Sequence, residues 1–289
     1  MNHRSAIFEI RETVSLGFCF LILTLAACNG GSSGSAPPVA SDSAHHAVPN
    51  AAALLFVANR GNDSGSGDGA VLEFLQTASG NVKPRFSISG YFTGVTDPVA
   101  IAVDAAKDVY VANDASRTVY EFAAGAHGNV APIATITGSL TRLKAIAAIM
   151  IDAGGNIWVS NYRPKPEILE FAAGANGNVA PILKIAGAAT KLVGPGPMAF
   201  DTERNLYVCD FDANSIWVFA PGAHGNVAPV SYISGSNTQL SFPFGLAIDA
   251  SNNLVVANNT GASITGYAAG ASGNVAPTWE IAGSATGLA

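Results

Sequence analysis

Short runs in which apolar and polar residues alternate are separated along this chain by clusters of Gly, Asn, Asp and Pro, as in Pro243-Phe-Gly-Leu-Ala-Ile-Asp249 followed by Ala250 to Asn253. That two-residue period predicts short β-strands joined by turns, and beyond the N-terminus no stretch keeps the 3.6-residue period of an amphipathic helix. Residues 243–249 read as a first strand, A, of a unit whose B, C and D strands are 254–258, 263–267 and 276–281.

The unit recurs. Gly-Asn-Val-x-Pro begins at Gly80, Gly128, Gly177, Gly225 and Gly273, in steps of 48, 49, 48 and 48 residues. A second marker, Val-[Ala/Ser/Cys]-[Asn/Asp], ends at Asn59, Asn113, Asn161, Asp210 and Asn258; its longer first step places an insertion within Asn62 to Gly69. Four short strands repeated at such a period predict an all-β fold, a β-propeller of about five four-stranded blades, with six-bladed closure as the alternative. Strand A is clear in four units only, and Ala44-His-His-Ala-Val-Pro-Asn50 is the candidate for the first.

The turn residues have physical reasons. Asp104, Asp152, Asp201 and Asp249 close strand A, where a short carboxylate accepts N–H bonds from the A–B turn. The Gly of the Gly-Asn-Val marker supplies the positive φ of a tight C–D turn. Pro98, Pro195 and Pro243 lead strand A, where a missing N–H costs little. The aromatics that finish strand C (Phe74, Phe122, Phe171, Phe219, Tyr267) and those of strand B (Tyr110, Trp158, Tyr207) are expected to pack between blades.

Composition agrees: 289 residues, 49% hydrophobic and only 12% charged, with 31 Gly, suit short strands better than long surface helices. A net charge of −6 without a basic stripe argues against a nucleic-acid partner. Residues 1–27 read as an export signal, with Arg4 and Arg11 ahead of an apolar run from Val14 to Leu25. Leu25-Ala-Ala-Cys28 resembles the lipobox of bacterial lipoproteins. That resemblance implies cleavage before Cys28, acylation of Cys28 and a membrane-anchored exported protein; Asn29 at the second mature position implies the outer membrane. Residues 28–43 form a Gly/Ser/Pro tether and residues 44–289 the propeller. Cys19 would leave with the signal and lipid would consume Cys28, so Cys209 stands alone, expected as a small core residue.

Units such as Gly245-Leu-Ala-Ile-Asp249 with Asn253-Leu-Val-Val-Ala-Asn258, or Asp108-Val-Tyr-Val-Ala-Asn113, resemble the NHL-type repeats of bacterial β-propellers over residues 50–289, though with a longer C–D part.

In such a blade the A–B and C–D turns share one face and the B–C and D–A loops the other. The C–D turn repeats almost letter for letter, whereas the second set varies, and a scaffold that varies one face binds with it. Arg60, Tyr162, Arg163, Phe211 and Asp212 are the candidate ligand-face residues. The strand-B ends Asn59, Asn113, Asn161, Asp210 and Asn258 form a candidate ring of oxygens near the channel, with turn geometry as the simpler reading. Lactonases of the gluconolactonase type hold a divalent metal near such a channel, but their leading Glu has no counterpart here. The segment 62–69 with Glu73 imitates a calcium loop yet is poor in carboxylates. His127 and His224 fall in the C–D turn and His45 and His46 beside the tether; no nucleophile elbow, His-Glu-x-x-His or phosphate loop is present. The expectation is a non-catalytic binding module with no cofactor, no assigned metal ligand and a protein or glycan partner. The alternative is a metal-dependent lactonase-like hydrolase or propeller lyase, for which a divalent ion would be the cofactor.

Overall fold

The computed structural model describes residues 54–60 and 69–288, together with the backbone of 19–21. They form five four-stranded antiparallel blades, a five-bladed β-propeller. Blade 1 contains β1 (Cys19–Leu21), β2 (Leu54–Asn59), β3 (Ala70–Leu75) and β4 (Phe86–Ser89). Blade 2 contains β5 (Pro98–Val103), β6 (Val109–Asn113), β7 (Thr118–Phe122) and β8 (Ala134–Ile136). Blade 3 contains β9 (Ala145–Ile151), β10 (Ile157–Arg163), β11 (Glu167–Phe171) and β12 (Leu183–Ala186). Blade 4 contains β13 (Pro195–Phe200), β14 (Leu206–Asp210), β15 (Ser215–Phe219) and β16 (Ser231–Ser234). Blade 5 contains β17 (Pro243–Ile248), β18 (Leu254–Asn258), β19 (Ser263–Tyr267) and β20 (Trp279–Ala282).

One expectation is corrected. The A position of blade 1 is held by Cys19–Leu21, with Cys19 opposite Asn59 and Leu21 opposite Val57, in place of Ala44 to Asn50. An apolar run that reads as an export segment also satisfies the pattern of a buried strand, so periodicity alone does not choose between the two. Residues 44–50, Cys28 and the tether lie outside the described residues.

Local chemistry explains the blades. Asp152 Oδ1 accepts the N–H groups of Gly154 and Asn156 at 2.8 and 3.0 Å, and Asp201 and Asp249 hold their A–B turns in the same way. The five marker glycines sit at φ between 72° and 79°, a region that a Cβ disfavours. Pro98, Pro195 and Pro243 each lead their strand, and a register shift immediately after them bends the inner strand at its start.

Apolar residues bury themselves between blades. Val71 and Ile88 of blade 1 pack against Val111 and Phe122 of blade 2. Ile136 meets Val159 and Phe171 across the next seam, Ile185 meets Val208 and Phe219, and Ile233 meets Val256 and Tyr267. Each seam is also stitched by main chain. Gly128 accepts from Ser89 N–H at 3.1 Å and donates to Ser87 C=O at 2.6 Å, and Gly177, Gly225 and Gly273 repeat this against Thr137/Thr135, Ala186/Lys184 and Ser234/Tyr232. The Asn of each marker then caps the turn that follows the preceding blade: Asn129, Asn178, Asn226 and Asn274 accept the N–H of Phe92, Leu140, Ala189 and Asn237 at 2.7 to 2.8 Å.

Candidate functional site

The marker at the end of strand B has a structural duty in blades 2 to 5. Asn113 Oδ1 accepts the N–H groups of Thr96 and Asp97 at 2.9 and 2.8 Å, binding the D–A loop to the end of β6. Asn161 accepts from Lys144 N–H and donates to Arg142 C=O; Asn258 accepts from Ser241 N–H and donates to Ser263 and Thr265. Asp210 spreads the same role over two oxygens, accepting Val193 N–H on Oδ2 and Gly194 and Ala213 N–H on Oδ1. All four side chains are buried. Burial lifts the Asp210 carboxyl above the usual carboxylate range against the pull of those three amides. Asn59, the fifth of the set, pairs with Cys19 across β1 and β2. The oxygens of Asn113, Asn161, Asp210 and Asn258 are thus spent on loop amides, which is the turn-geometry role.

By clamping the D–A loops to the strand ends, these residues fix the face on which the variable side chains stand. The five ligand-face candidates fall there, at the ends of β2, β10 and β14. Phe211, buried, is the centre: its ring lies 5.7 Å from Tyr162 of blade 3 and 5.0 and 5.3 Å from Phe242 and Phe244 of blade 5. Phe242 and Phe244 stack at 6.0 Å, and the Arg163 guanidinium stands over the Tyr162 ring at 5.4 Å. Two glycines make room. A Cβ on Gly196 would meet the Phe211 ring at 3.0 Å, and one on Gly194 would meet the Asp212 carboxylate at 2.7 Å, so Gly-Pro-Gly at 194–196 is the floor on which Phe211 and Asp212 rest. Phe242 is held in the left-handed region, φ 51°, by Asn214, whose Oδ1 accepts its N–H at 2.6 Å.

Charge rims the cluster on the side of blades 1 and 2. Arg60 Nε donates to Asp97 Oδ1 at 2.5 Å, and Asp114 Oδ1 accepts Ile146 N–H at 2.8 Å. Burial, helped by the neighbouring Asp97 charge, raises the Asp114 carboxyl, while the Ile146 amide, Arg60 and Arg117 pull it down. Burial and the nearby Asp114 charge also raise the Tyr162 phenol, against the pull of Arg163 and Arg60. The arrangement offers a half-buried aromatic surface, a stacked arginine and carboxylates at its margin, a combination suited to recognition.

Phe242, Phe244, Asp97 and Asp114 were not singled out by sequence reasoning. A signal existed: blade 5 alone flanks its leading proline with aromatics, Phe242-Pro-Phe244, where blades 2 and 4 have Asp97-Pro-Val99 and Gly194-Pro-Gly196. Glu73 lies in β3, 3.4 Å from Arg85, and residues 62–68 of the calcium-like segment lie outside the described residues. His127 and His224 are exposed in their C–D turns, each ring 3.0 Å from the carbonyl two residues before it. Cys209 is fully buried, and burial pushes its thiol up. Among the described residues no group of three or more His, Cys, Asp or Glu is placed to hold a metal ion.

No family model matches this chain, and no curated protein matches it. Solved structures do. The chain is similar to a protein of unknown function from Bacteroides caccae (13% identity, TM-score 0.53), covering 75% of this chain and 70% of that one. It is similar to a candidate 6-phosphogluconolactonase from Bacteroides uniformis (15%, TM-score 0.55; 78% and 68% covered). It is also similar to a streptogramin B lyase (10%, TM-score 0.50; 75% and 66% covered). At such identities the likeness concerns the fold alone: the chain is a β-propeller that spans about two thirds of the length of propellers with differing names.

Proposed function

We propose that this protein is a non-catalytic binding module of NHL-type repeats, held at the bacterial cell envelope by lipid on Cys28 once the signal, and with it the Cys19–Leu21 strand of blade 1, is cleaved away, and presenting its B–C and D–A face to a protein partner. The observation that carries the reading is the gathering of Tyr162, Phe211, Phe242 and Phe244, with Arg163 stacked beside them, on the variable face. Aromatic and arginine side chains with polar margins are what protein-binding hot spots are made of. The tether at 28–43 would let the face work away from the membrane.

The test is capture from envelope extracts by the full chain and by a Tyr162→Ala/Phe242→Ala double variant. A protein retained by the first and lost by the second supports the reading; retention of polysaccharide alone, or equal retention by both, overturns it. Anchoring is tested by metabolic labelling with a fatty acid, expected on the native chain and lost in Cys28→Ser.

The lactonase-like or lyase reading is supported by the fold likeness and would use Asp210. That carboxylate holds three loop amides, which favours the binding reading.

A further inference from the structure

Four seams in this molecule share one set of contacts, and the two faces that would make a fifth are both present and unmatched among the described residues. On the outgoing face of blade 5, Ile281 and Trp279 are 46% and 44% exposed, whereas the equivalents of Ile281 at positions 88, 136, 185 and 233 are buried under the next blade. A Cβ on Gly283 would meet nothing within 4 Å, whereas at Gly90, Gly138, Gly187 and Gly235 it would strike the capping Asn of the next blade. On the incoming face of blade 1, Phe74 is half-buried, while Phe122, Phe171, Phe219 and Tyr267 are fully buried. Ala78 is exposed, while Ala126, Ala175, Ala223 and Ala271 pack on the core of the seam before them. Gly80 keeps the positive φ, 72°, that the other marker glycines use to bond the preceding blade.

We infer that the outgoing face of blade 5 receives the Ala78 to Val82 turn of a second copy, reproducing the internal seam between molecules. Gly80 would donate to Glu280 C=O and accept from Ala282 N–H, Asn81 would cap the Ala285 N–H, and Ile281 would pack on Phe74 and Ala78, each by the register that the four internal seams display. The occupant is argued from the molecule itself. The complementary face exists on every copy, and within one copy neither face covers the other among the described residues. Such a contact is heterologous, leaving one free face of each kind on every dimer, so association continues until a ring closes or a filament grows.

The experiment is sedimentation of the full chain in density-matched detergent, alone and with Ala78→Lys or Ile281→Lys. Both positions are exposed, so both variants should keep the native near-ultraviolet dichroism; Ala78→Glu and Trp279→Lys serve as second variants of each face. The native chain should gain mass with concentration beyond the dimer. Each variant alone should sediment as a monomer, and an equimolar mixture of the two should form dimers and stop there, since each retains the face that the other has lost. A native chain that stays monomeric at all concentrations, association that survives both variants, or a mixture that fails to dimerise would overturn the inference.

Discussion

Blades 3 and 5 are built from the same repeat, yet they live in different surroundings. Blade 3 has a neighbour on each side, and β11 is buried along its length; blade 5 has blade 4 on one side, and β20 is exposed at every residue. The hydrogen-bond clamps internal to the two blades are nonetheless alike, with Asn161 and Asn258 both buried and both tied to the D–A loop. Contacts within a blade are therefore set by its own 48 or so residues, and burial by its neighbours, as the nearest-neighbour picture of repeat proteins requires.

Substitutions can break that comparison. The largest effect is expected from Phe171→Ala, which empties a fully buried site between blades 2 and 3 and should cost about 3–5 kcal/mol; Phe74→Ala, at the same register in blade 1, should cost less than half as much in chemical denaturation. Next comes Ile185→Ala, expected to cost about 2–5 kcal/mol, against Ile281→Ala, expected to fall within about 0.5 kcal/mol at concentrations where the chain is monomeric. Equal losses in either pair would mean that the open faces are not open in solution.

Asn161→Ala and Asn258→Ala sharpen it from the other side. Each leaves loop amides without an acceptor and should cost about 1–3 kcal/mol, with the two values matching despite the difference in seams. Unequal losses would show that the clamp depends on the neighbouring blade.

The smallest effect tests the blade that departs from the pattern, carrying Asp210 where its sisters have Asn. Its folded pKa is raised by burial, so the proton-bound form favours the native state. The stabilisation due to that proton is complete below the ordinary carboxylate range and is lost as pH rises through the folded value. Compared with Asp210→Asn, the native chain should therefore lose ground between acidic and neutral pH, whatever the offset between the two chains. Parallel stability curves against pH would refute this.

Much of this architecture was legible in the sequence because each blade solves its folding problem locally. The Asp that closes strand A, the positive-φ Gly of the C–D turn and the leading Pro all act within a few residues, and all stand where the repeat placed them. What the sequence concealed lies between blades. The Asn of Gly-Asn-Val was visible five times, but its partner is 37 or 38 residues away in the preceding blade, which no local pattern reveals. Phe211 was singled out from its loop, yet Phe242 and Phe244 reach it only because blades 4 and 5 are neighbours in space. The inner strand of blade 1 escaped for a different reason: an apolar run with an export pattern was already explained before its pairing with Leu54–Asn59 was considered.

Because every seam joins one outgoing face to one incoming face by main-chain bonds at Gly and a cap from Asn, the joint is standardised and nearly indifferent to which blade stands on either side. Whole units are then interchangeable parts. A duplication of one 48-residue unit would bring one face of each kind and leave the two end faces unaltered, so lineages carrying this repeat can lengthen or shorten by complete blades without inventing a new interface. Excision of residues 129–177, one full unit from marker to marker, should accordingly give a protein that is one blade lighter and still unfolds cooperatively, whereas removing half a unit should destroy the fold.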